Sequence, residues 1–137
     1  MKKLLLIGLL LLNLTATAQI CNVYTSEKVY YDVTAIDKPA NFQPYNLNGR
    51  EVNLKICTTN GRMSGIYSIV ITNGYHDEFV LSNCKYISDG WLQYDCIDNH
   101  NTYMRCQLKQ DTYKQKLYIM MHYKNISYCY EVNIDSL

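Results

Sequence analysis

The sequence predicts an all-β domain: a small antiparallel meander of about eight strands, stabilised by disulfides and built as a closed barrel or a two-sheet sandwich. Three observations predict it. Beyond residue 50 apolar and polar side chains alternate through run after run, as in "KLYIMMHY" and "ISYCYEVN", and a period of two is the pattern of a half-buried strand. Three Asn-Gly pairs, Asn48-Gly49, Asn60-Gly61 and Asn73-Gly74, recur about a strand apart, and Asn-Gly accepts the positive φ angles of tight hairpin turns. The 14 tyrosines, all beyond residue 18, suit strands better than helices.

The first element is not part of that domain. Lys2 and Lys3 precede an apolar run from Leu4 to Leu12, and Ala16-Thr17-Ala18 follows it. This is the form of a cleavable bacterial signal peptide, with the cut expected between Ala18 and Gln19. The run is well short of the roughly 18 to 20 residues a spanning helix needs. Ile20 stands before Cys21 where a lipidated leader needs a small residue. Residues 1–18 are therefore expected to be lost, and residues 19–137 to form one secreted or periplasmic β domain.

Composition then excludes partners. The chain has 13 basic and 12 acidic side chains, and two of the basic ones leave with the leader. A near-neutral chain without runs of like charge is a poor match for nucleic acid or an anionic membrane surface. All six cysteines (Cys21, Cys57, Cys84, Cys96, Cys106 and Cys129) lie beyond the leader. An even count in an exported chain points to three disulfides, with the connectivity open. Structural zinc is disfavoured because no Cys-x-x-Cys pair occurs and His76, His100 and His122 lack ligand spacing.

The strands are expected near 22–36, 51–59, 62–72, 78–87, 91–98, 102–109, 115–123 and 126–134, with 36–50 the one long irregular stretch. A two-residue turn at Asn60-Gly61 would pair Ile56 with Gly65 and Leu54 with Tyr67. A turn at Lys124-Asn125 pairs Tyr123 with Ile126, Met121 with Tyr128, Ile119 with Tyr130 and Leu117 with Val132, which leaves Tyr118 and His122 on the far face. A lipocalin-like barrel is one form the set could take. The Gly-x-Trp such a first strand would carry is missing, and Gly90-Trp91 lies mid-chain.

The stretch most like chemistry is "YDCIDNHNTYMRC", residues 94–106. Its Asp95, Asp98, Asn99 and Asn101 miss the alternate-oxygen spacing of a calcium loop, and no glycine marks the tight turn. Asn, Asp and Thr at a hairpin tip more simply bond their own backbone. A five-residue tip would set Cys96 opposite Cys106; a three-residue tip would set it opposite Met104. In "YHDEF" (75–79), neighbouring Asp77 and Glu78 would point to opposite sides of a strand. Ser82-Asn83-Cys84-Lys85 and Ser88-Asp89-Gly90 only echo an acyl-enzyme serine motif, which needs a helix start and a longer chain.

Aromatic surface remains. Trp91 and Tyr103 fall on the polar face of the 91–109 hairpin, as Tyr118 and His122 do on theirs. These four are the candidate ligand-binding residues, since flat rings give contact area at low entropy cost. The expected function is an exported, non-enzymatic recognition protein for a glycan, a small apolar molecule or a protein surface, with no metal or other cofactor. Its rivals are an inhibitor of a foreign hydrolase, a small outer-membrane β-barrel and an isolated catalytic domain, the last weakened by the scarcity of acid–base pairs.

Overall fold

The computed structural model describes residues 19–33 and 41–134. The expected leader lies outside the described residues, as do the last residues of the first expected strand. Among the described residues nine strands follow one another: β1 (Ile20–Val33), β2 (Gln43–Pro44), β3 (Val52–Thr58), β4 (Ile66–Thr72), β5 (His76–Tyr86), β6 (Trp91–Asp98), β7 (Tyr103–Asp111), β8 (Lys116–His122) and β9 (Ile126–Asn133). Neighbours in sequence pair antiparallel from β3 to β9, and β1 bonds both β3 and β9. Eight strands thus close a barrel, with β2 a short addition on the edge of β1. The sandwich alternative is corrected by that closure.

Strand β1 makes the closure by changing partners along its length. Residues 20–26 pair with β3, and from Ser26 onward it pairs with β9 across a register shift between Ser26 and Lys28. A bulge of this kind bends a strand and sharpens its twist. Ser26 is fully buried there, its hydroxyl 3.0 Å from the Lys28 carbonyl and 2.8 Å from the Glu131 carbonyl. A serine at the bend meets carbonyls that the broken ladder would otherwise leave unpaired.

The interior is full. Leu54, Ile69, Cys106, Leu117, Ile119, Met121 and Val132 have no exposed surface at all. Eight strands enclose a space that side chains just fill, so the closed sheet is packed with side chains along its axis. The expected faces hold: Val52, Leu54 and Ile56 point in, while Asn53 and Lys55 are exposed. Turns decide the registers. At Lys124-Asn125 the pairs Met121–Tyr128, Ile119–Tyr130 and Leu117–Val132 form as the sequence predicts.

At Asn60-Gly61 they do not. Ile56 faces Ile69 and Leu54 faces Ile71, because residues 59–65 make a longer connection ending in a 3-10 turn at Met63–Gly65. The Thr58 hydroxyl and the Asn60 side chain bond the Gly61 and Arg62 amides and hold that connection open. The Asn48-Gly49 pair does take two positive φ angles, 54° and 76°. It lies in the loop between β2 and β3, which both run antiparallel to β1, so it reverses no hairpin. Asp89-Gly90, by contrast, turns β5 into β6 with φ angles of 54° and 82° and a Trp91 amide bond to the Ser88 carbonyl. The serine-motif echo at Ser88 is a hairpin turn.

The cysteines require a correction. One bridge forms, Cys21–Cys57, between residues directly opposite on β1 and β3. Cys84, Cys96, Cys106 and Cys129 are free thiols. The physical reason is register. The β6–β7 tip spans three residues, with Asn101 at φ 61°, a usual three-residue hairpin geometry. Cys96 therefore faces Met104, and Cys106 faces Tyr94. Cys129 sits on the outer side of β9, away from both. Burial pushes the Cys96 thiol up to about 12, with the nearby Asp98 charge adding to it, and burial also holds Cys106 well above the usual thiol value. Such thiols are poor nucleophiles.

Candidate functional site

The outer surface of β6, β7, β8, β9 and β1 is a grid, because successive registers align side chains in rows across the strands. One row runs Trp91, Lys109, Tyr118, Glu131 and Lys28. The next runs Gln93, Gln107, Met120, Cys129 and Tyr30. Trp91 and Tyr118 are two strands apart in their row, about 10 Å. Between the rows lies a groove of about 500 Å³ lined by Trp91, Tyr118, Met120, Cys129, Tyr30 and Phe42. Phe42 enters just ahead of β2, which is the structural role of that short strand: it lays one more ring along the groove.

The charges of the groove are arranged in pairs. The Lys109 ammonium lies 5.9 Å from the centre of the Trp91 ring, a distance at which the ring face attracts a cation. Glu131 reaches Lys116 at 3.1 Å and Lys28 at 4.0 Å. The bond with Glu131 in turn raises the Lys116 pKa. Asp111 and Lys114 complete the flank from the β7–β8 turn, where the Asp111 carboxylate accepts the Lys114 amide. Cys129 is the most enclosed of these residues, and burial pushes its thiol up to about 12.

The four candidates from sequence separate here. Trp91 and Tyr118 share the groove. Tyr103 is 81 % exposed and stands alone near the β6–β7 tip; six residues along β7 from Lys109, it is about 20 Å from the groove row. His122 is half-buried and fully engaged. Its Nδ1 is 2.8 Å from the Ser127 hydroxyl and its Nε2 is 2.7 Å from Gln107 Oε1, and Gln107 donates in turn to Gln93. Nε2 carries the proton in this arrangement and Nδ1 accepts one. Burial lowers the His122 pKa, and the Arg105 charge lowers it further. It is a neutral link in a surface ladder, not a free ligand group.

Sequence reasoning missed a second concavity at one end of the barrel, about 510 Å³, lined by Tyr45, Tyr123, Tyr128, Tyr130, Asp77 and Thr102 among others. The β4–β5, β6–β7 and β8–β9 turns surround it. Asp77 and Glu78 do point to opposite sides, as expected: Glu78 meets His76 at 3.0 Å outside, and Asp77 lines the mouth. Within "YHDEF" the strand β5 begins at His76. The Asp98 carboxylate accepts the His100 and Thr102 amides, which is the self-bonded tip the sequence predicts. The sequence does carry a signal for the mouth, in the inward tyrosines at the end of two paired strands.

Among the described residues no three His, Cys, Asp or Glu side chains gather to hold a metal, and no helix is long and apolar enough to cross a membrane. No known protein family, curated protein or solved structure matches the chain.

Proposed function

We propose that the chain is an exported, non-enzymatic recognition protein that binds glycans in the groove of Trp91 and Tyr118. The observation that carries this reading is the convergence of Trp91, Tyr118, Tyr30 and Phe42 on one open groove with charged side chains along its flank. Sugar rings pack their C–H faces on flat aromatic rings, and their hydroxyls need donors and acceptors at the edge. Lys109, Asp111, Lys114 and Glu131 offer both. The apolar-ligand reading loses its natural seat, because the barrel interior is filled by side chains. Lys55, Glu78, Lys85, Asp95 and Arg105 are exposed on the outer face, where a membrane barrel presents an apolar band. This favours a barrel surrounded by water.

The test uses Trp91, the sole tryptophan. Titration with a panel of soluble oligosaccharides should shift its emission and saturate. Trp91→Ala should weaken binding by about 2 kcal/mol or more, as loss of a hot-spot ring does, with the unfolding midpoint nearly unchanged. An emission that no oligosaccharide alters, alongside a shift with a protein partner such as a hydrolase, would move the reading to a protein-binding surface.

A further inference from the structure

The mouth of the barrel has a different chemistry from the groove. Tyr31 and Tyr45 stand 6.0 Å apart at 89°, Tyr45 and Tyr128 6.4 Å at 79°, and Tyr123 and Tyr128 6.0 Å at 87°. All three contacts are edge-to-face, the arrangement aromatic pairs favour, and Tyr45, Tyr123 and Tyr128 line one shared space. Tyr130, 8 % exposed, lies on the same concavity. Tyr45, Tyr123 and Tyr128 line it together with one half-buried carboxylate, Asp77.

Asp77 has no salt bridge among the described residues. A cation arriving beside this half-buried carboxylate would meet an opposite charge that no salt bridge occupies. The charged side chains lining the space are Asp77 and, on the exposed β8–β9 turn, Lys124; Asp98 lies at the neighbouring tip, its carboxylate taken up by the His100 and Thr102 amides. Burial raises the Tyr123 pKa, and the Asp77 and Asp98 charges raise it further, so the two carboxylates act at the ring wall. A primary ammonium would need three hydrogen-bond acceptors here. A quaternary ammonium needs none and a trialkylammonium only one, which Asp77 can supply; both are weakly hydrated and gain most from ring faces.

We propose that the barrel mouth binds a small molecule carrying a quaternary or trialkyl ammonium group, with the faces of Tyr123, Tyr128 and Tyr45 as its walls and Asp77 as its counter-ion. The site is separate from the groove and does not depend on the glycan reading.

Calorimetric titration with choline and with its neutral carbon isostere, 3,3-dimethylbutan-1-ol, tests it. Choline should bind saturably and about tenfold or more tighter than the alcohol, the range a desolvated cation–ring contact supplies. Asp77→Asn should weaken choline by about tenfold and leave the alcohol unchanged. Tyr128→Phe, which keeps the ring, should retain binding, and Tyr128→Leu should lose it; the unfolding midpoint of each variant checks that it is folded. Trp91→Ala should bind choline as the parent does. Equal affinity for alcohol and choline, full choline binding by folded Asp77→Asn, or no saturable heat at concentrations of roughly 10 mM would overturn the proposal.

Discussion

Tyrosine closes one end of this barrel and opens the other. At the end formed by the β3–β4 connection, Tyr94 is 2 % exposed, and its hydroxyl donates to the Met63 carbonyl and accepts the Ile66 amide at 3.2 Å. One side chain from β6 thereby fastens the 59–65 connection over the core. The Cys21–Cys57 bridge staples the same end. At the far end Tyr45, Tyr123 and Tyr128 meet each other ring to ring and leave a space between them. The residue type is the same; what differs is whether a backbone segment is there to take the hydroxyl. Where it is, the ring becomes a plug, and where it is not, the ring becomes a wall.

Stability at the two ends is therefore unequal, and mutation can break or sharpen the contrast. The largest effect should come from Tyr94→Ala, at about 3–5 kcal/mol in urea unfolding, as for other large aromatic truncations in cores. Tyr94→Phe keeps the plug but strands the Ile66 amide and the Met63 carbonyl, and should cost about 1–3 kcal/mol. Tyr128→Ala, at the half-exposed mouth, should cost less than half of what Tyr94→Ala does. Equal losses at Tyr94 and Tyr128 would erase the distinction between plug and wall.

Next in size is the bridge. It spans a sequence separation of 36 residues, and reducing it should lower stability by about 2–4 kcal/mol. Thiol titration of the denatured, unreduced chain should find the four cysteines that carry no bridge, and the native chain should hide Cys96, Cys106 and Cys129. A denatured chain without free thiols would restore the three-bridge framework.

Smaller again is the open end's own fastening. Asp98→Ala removes the acceptor for two amides at the β6–β7 tip and should cost about 1 kcal/mol, with the closed end's amide protection unaffected. The smallest effect is on pH. Neutral His122 belongs to the folded state, so the unfolded chain binds its proton first as pH falls. Stability is complete above about 6.5, the unfolded value, and declines as pH drops from there towards the lowered folded value. His122→Gln should remove that part of the decline, as the slope of unfolding midpoint against pH would reveal.

Much of the outer face is legible in the sequence alone. The β8–β9 ladder follows from a two-residue turn and strict alternation, so Tyr118 and His122 fall outside and Met121 and Tyr130 inside. Trp91 falls outside by the same rule. What alternation could not tell is that His122 is consumed by Gln107 and Ser127, residues on two different neighbours, or that Tyr103 stands alone. The register of β3 against β4 departs from the two-residue turn because the side chains of Thr58 and Asn60 recruit the amides that a tight turn would have used.

By itself the sequence determined the class, the approximate positions of the eight barrel strands (though not of β2, which lies in the stretch read as irregular) and which side of each is apolar, because a two-residue period and turn chemistry are local properties. Only the tertiary structure decided that the sheet closes, that Cys21 meets Cys57 while four thiols stay apart, and that the groove and the mouth form. Those outcomes depend on which residue of β1 lies beside which residue of β9, about 100 positions away in the chain. Such pairings carry no local signature. They are set by the sum of many registers, and one bulge at Ser26 is enough to move every side chain beyond it.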